Sequence, residues 1–102
     1  MNIPLEYKTP YLHVKQMHDT YEEELQSVLN APVHHVLKNF FRNKNNVLKE
    51  HKKIFDKMPE SVAKERIMSN INSFIAHNKR TANYFLNLFP KNNGYQEQER
   101  NQ

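Results

Sequence analysis

Lys44 and His51 interrupt an apolar stripe in the stretch "LKNFFRNKNNVLKEHKKIF", residues 37–55. They stand one heptad apart, near the centre of the face that helical spacing would bury. Asn78 takes the equivalent place in a later helix, and layer counting brings Tyr21 close to it. A lysine and a histidine so placed could transfer protons, with Glu24 as the one nearby carboxylate able to complete an acid–base pair. The simpler role is structural. A central polar residue fixes register in a bundle, and a lysine can bury its stem while its ammonium reaches water. Lys44, Asn78, Tyr21 and His51 are therefore expected to form a core polar layer and not a catalytic site.

The six histidines do not carry metal spacing. His18 and Glu22 are four residues apart and share a helix face, but His13 and His18 face differently. His34 and His35 are adjacent and diverge, and no His-Glu-x-x-His occurs. No metal and no cofactor is expected. Cysteine is absent, so disulfides, thiolate metal sites and thiol nucleophiles are excluded. The single glycine, Gly94, excludes Gly-rich phosphate loops. None of Ser27, Ser61, Ser69 and Ser73 stands in a nucleophile-elbow motif.

Two surfaces suit binding. The first is a basic face made by His35, Lys38, Arg42, Lys49 and Lys53, with Asn39 and Asn46 between them. It would meet phosphates or an acidic protein, and it has no interleaved aromatics for base stacking. The second is "NYFLNLFP", residues 83–90. Its large apolar residues surround the helix, and a helix at a bundle's edge can turn only part of them inward. Tyr84 and Leu88 are expected to be left outside, next to the small or amide-bearing Ala76, Asn83 and Asn87.

The elements that position these residues follow from periodicity and punctuation. Thr9 and Pro10 suit the start of a helix over about residues 10–29, with Val14, Met17, Tyr21, Leu25 and Val28 inward. Asn30 and Pro32 start a second helix, about 32–57. Its stripe spans about 140° and suits contact with two neighbours, Val36, Phe40, Val47 and Ile54 forming one row and Leu37, Phe41, Leu48 and Phe55 the other. Pro59 or Glu60 opens a third helix, about 60–89, which Pro90 stops. Short connections make sequential helices antiparallel neighbours. The expectation is an all-α, three-helix up-down-up bundle in one domain, residues 1–90, with residues 91–102 as a polar, flexible tail. Ile3, Leu5 and Tyr7 alternate with polar residues and are expected to run extended against Phe55, Met58 and Val62.

Charge is uneven. Residues 1–31 carry a net −3, residues 32–57 a net +5 and residues 58–102 a net +2, within a total of +4. No apolar run is long enough to span a membrane, and residues 1–10 lack the pattern of a signal peptide. No membrane is expected among the partners, and the location expected is cytoplasmic. No motif is specific enough to carry a family assignment. The reading is a small non-catalytic regulator or inhibitor that binds a protein, a second copy of itself included. The alternative is a nucleic-acid-binding module using helix 2.

Overall fold

A computed structural model describes residues 3–91, so the tail expected over residues 91–102 lies, apart from Lys91, outside the described residues. Pro4 is extended, and the chain then closes one 3-10 turn, Leu5–Tyr7, through a bond from Tyr7 N–H to the Pro4 carbonyl at 2.9 Å. This turn runs straight into α1, Lys8–Leu29, so the helix starts ahead of Thr9, with Tyr7 as its N-cap. Pro10 then sits within the first turn, where its missing N–H costs no hydrogen bond. The chain reverses over residues 30–33. Pro32 belongs to this turn and not to α2, His34–Asp56, because Val33 is the extended N-cap and no side chain caps the helix. The end of α2 tightens through bonds from Lys57 and Met58 N–H to the carbonyls of Ile54 and Phe55. The third helix, α3, Val62–Leu88, opens two to three residues later than Pro59 or Glu60, with Ser61 as its cap. Its hydroxyl accepts the Lys64 N–H at 3.1 Å, and Glu65 places a carboxylate in the first turn.

Among the described residues there is no strand, and the three helices form an up-down-up bundle. Tyr7 packs tilted against Phe55 while Glu24 pairs with Lys44, so α1 and α2 run antiparallel. Lys64 Nζ reaches the Asp56 carbonyl at one end of α2 and α3, and His34 meets the Phe89 carbonyl at the other, so these two are antiparallel as well. The α2–α3 contact is the most extensive, and α1 lies across that pair. Leu37, Leu48, Phe55 and Ile71 are wholly buried at its centre. Each such side chain contributes about 1.5–3 kcal/mol.

Two expected contacts are corrected. The 3-10 turn breaks the alternation of residues 3–7. Ile3 and Tyr7 pack on the core while Leu5 and Val62 face solvent. The second correction lies on α2. Leu37, Phe41, Leu48 and Phe55 are buried, but Val36, Val47 and Ile54 remain about 40% exposed (41%, 42% and 39%). Both neighbouring helices converge on the first of these rows, so α1 covers only the inner edge of the second.

Candidate partner-binding surfaces

The polar layer is built by one residue from each helix. Tyr21 of α1 donates its hydroxyl to Asn78 Oδ1 at 2.7 Å. Asn78 of α3 donates Nδ2–H to the Phe41 carbonyl of α2 at 2.9 Å. Asn78 is 2% exposed, so both ends of its amide need partners, and both have one. The Tyr21 ring packs edge-on against Phe74 and tilted against Phe40. Burial pushes its phenol up to about 12, against the opposing pull of the Thr81 hydroxyl.

Lys44 stands apart from this layer. Its ammonium pairs with Glu24 and lies 5.2 Å from the Phe40 ring centre. His51 turns back to its own helix, its Nδ1 2.9 Å from the Val47 carbonyl, and its ring meets His13 edge-on. The four residues thus divide into a buried pair, Tyr21 and Asn78, and two half-buried side chains, Lys44 and His51, that lie outside it. The remaining histidines are dispersed. His18 lies edge-on to Phe74, and His77 approaches Glu22 at 3.9 Å. Among the described residues no three His, Asp or Glu side chains converge where a metal ion could sit.

A depression of about 730 Å³ runs between α1 and α3, a feature without a sequence signature. Its rims are polar, with His18, Asp19 and Glu22 opposite Ser73, His77 and Arg80. Its apolar floor, Tyr21, Phe55, Ile67, Ile71 and Phe74, is no more than 5% exposed at any residue. Half-buried Tyr11 and Val14 add accessible apolar surface to this lining.

The end of α3 differs. Phe85, Leu86 and Phe89 pack against the core, while Tyr84 and Leu88 remain 64% and 54% exposed. Asn83 and Asn87 are exposed beside them and Ala76 is half-buried. The tie between His34 and Phe89 brings the start of α2 to the same end, where Val33 and Val36 also face solvent.

The basic residues His35, Lys38, Arg42, Lys49 and Lys53 are all exposed. Lys53 lies 3.4 Å from Glu50, an exposed pair of small energetic worth. Among the described residues the others have no acidic partner within 4 Å. No helix among the described residues is long and apolar enough to cross a membrane. Comparison of the chain with models of protein families, with curated proteins and with solved structures returns no match. The surfaces themselves are therefore the ground for a functional reading.

Proposed function

We propose that this chain is a small, non-catalytic regulator or inhibitor of the cytosol that acts by binding a protein. The binding surface is the end of the bundle where α3 stops. The observation that carries this reading is that Tyr84 and Leu88, 64% and 54% exposed, stand together at the end of the bundle to which Val33 and Val36 also belong. Large exposed apolar side chains grouped at one place are the usual sign of a contact surface. Burying each is worth about 1.5–3 kcal/mol, enough to anchor a modest interface. Asn83, Asn87 and Ala76 add no charge that would resist an approaching surface. The partner is another protein, or a second copy of this chain.

The test is the double variant Tyr84→Ser, Leu88→Ser. Its helical signal and thermal unfolding should match the parent. Dimerisation measured by sedimentation, or capture of a partner identified with the parent chain, should weaken at least tenfold. Unfolding of the variant would assign both side chains to the core and defeat the reading. Unchanged association would move the interface elsewhere.

A further inference from the structure

We infer that the flank shared by α2 and α3 binds the phosphate backbone of a double-stranded nucleic acid without reading its sequence. At about 100° per residue, Lys38, Arg42 and Lys49 fall within about 40° of one another on α2, with His35 and Lys53 just beyond. They lie roughly opposite Phe40, Lys44 and His51, which meet α1. This flank therefore looks away from α1, along the outer side of α3. There α3 adds a cation that the reading of α2 alone missed. The bond from Asn78 to the Phe41 carbonyl sets Lys79 within about 3 Å of Arg42 along the bundle axis. Lys79 also lies on the side of α3 away from His77, which faces α1.

The composition of this flank separates it from an ordinary solvated face. From residue 34 to 49 on α2 and from residue 66 to 88 on α3 there is no Asp or Glu. The acids of the middle of the bundle, Asp19, Glu22, Glu23 and Glu24, all belong to α1. Among the described residues Lys38, Arg42, Lys49 and Lys79 therefore have no acidic partner, and the row from Lys38 to Lys49 runs for about 16 Å. A duplex carries roughly one charge per 1.7 Å of its axis, so every register along it offers this row phosphates. Asn39 and Asn46 add amide donors, which bond phosphate oxygens as well.

Two absences on the flank choose the partner. Protein interfaces are anchored by a few buried side chains, chiefly Trp, Tyr and Arg. The exposed large apolar residues of α2 and α3, among them Val36, Val47, Ile54, Tyr84 and Leu88, all lie off this flank. An acidic protein would find charge there with Arg42 as the one anchor of that kind. Single strands are held by stacking on aromatic rings, and among the described residues the flank exposes no aromatic ring. What remains is charge in a row, which suits a duplex backbone.

The test is fluorescence anisotropy with labelled DNA and RNA duplexes of unrelated sequence, a single strand of equal length and a poly-glutamate chain. Duplexes should bind alike whatever their sequence. Affinity should fall with salt between about 50 and 200 mM, with a log–log slope near −0.9 for each phosphate neutralised. Lys79→Gln alone should make that slope shallower by about 1. The triple variant Lys38→Gln, Arg42→Gln, Lys79→Gln should weaken duplex binding more than tenfold with an unchanged helical signal. The single variant keeps the test open should the triple one fold poorly. No duplex binding at about 50 mM salt would overturn the inference, as would a triple variant that binds like the parent. Poly-glutamate or the single strand binding as tightly as the duplex would overturn it equally. This surface shares no residue with the Tyr84–Leu88 end, so the double serine variant should bind duplexes as the parent does, and either reading can fail alone.

Discussion

Asn78 and Lys44 hold comparable places in the sequence, each a polar residue at the centre of a helical apolar stripe, yet the bundle treats them differently. Asn78 lies where all three helices meet and is 2% exposed, with Tyr21 and the Phe41 carbonyl as its partners. Lys44 lies where α1 and α2 meet without α3. Its side chain keeps 18% of its exposure, and Glu24, its partner, keeps 47%. Whether a central polar residue is buried thus depends on how many helices reach its layer. The same chemistry costs much in one place and little in the other.

The largest effect is expected at Asn78. Asn78→Ala removes both amide bonds and leaves the Tyr21 hydroxyl buried without its acceptor. A buried polar group left unsatisfied costs about 1–3 kcal/mol, and a small cavity adds to it. A domain of this size loses about 4–8 °C for each kcal/mol. Thermal unfolding should therefore fall by roughly 10–20 °C, with the change visible by circular dichroism. A loss below about 1 kcal/mol would mean that the layer is not the closed network described above.

Tyr21→Phe keeps the ring against Phe40 and Phe74 and removes only the hydroxyl. At neutral pH it should cost about 1 kcal/mol, less than Asn78→Ala, because one hydrogen bond is lost and Asn78 Oδ1 is left without its donor. The pH dependence sharpens the test. The folded phenol is raised to about 12 from an ordinary 10.0, with burial as the main cause. The unfolded chain therefore releases this proton first as pH rises. The stability that Tyr21 contributes is complete below pH 10 and is lost as pH climbs to about 12. The variant has no such group, so its stability deficit should shrink through that window. A deficit that stays constant to pH 12 would show that the phenol is not held in its neutral form by the fold.

Much of this contrast could be read from the sequence, for stated reasons. Short turns at residues 30–33 and 57–61 force antiparallel neighbours, so layer counting alone brings Tyr21 and Asn78 together. The same counting put Lys44 in that layer, because a helical period gives a residue's angle but not how far a third helix extends over it. The exposed row Val36, Val47 and Ile54 was illegible for a related reason. The width of an apolar stripe measures how much could be buried, not which neighbour arrives to bury it. Tyr84 and Leu88 stood out as candidates for exposure because residues 84–89 hold more apolar bulk than one side of a helix can accept. Lys79 did not stand out. The flank it falls on depends on which side of the α2–α3 pair α1 occupies, and that handedness leaves no trace in periodicity.

The smallest effect is expected at Lys44, and its smallness is what the comparison needs. Lys44→Met keeps a stem of similar length against Phe40 and removes the ammonium from its place near Glu24. Two favourable contacts are lost. A partly exposed ion pair is worth about 0–1 kcal/mol, and a cation over an aromatic ring adds about 0.5–1 kcal/mol at an exposed site. Against this, the ammonium no longer has to be partly stripped of water, and apolar replacements of such charges are often neutral or stabilising. Glu24 is open enough for water to satisfy it once alone. The terms oppose one another, so the net change should stay within about 1 kcal/mol in either direction. Salt gives a second readout. Added salt should lower the parent's unfolding temperature slightly by screening the pair and should leave the Met variant unaffected in this respect. Partner and duplex binding should both survive, since Lys44 belongs to neither surface. A loss as large as that of Asn78→Ala would put Lys44 back in the buried network and remove the distinction between the two layers.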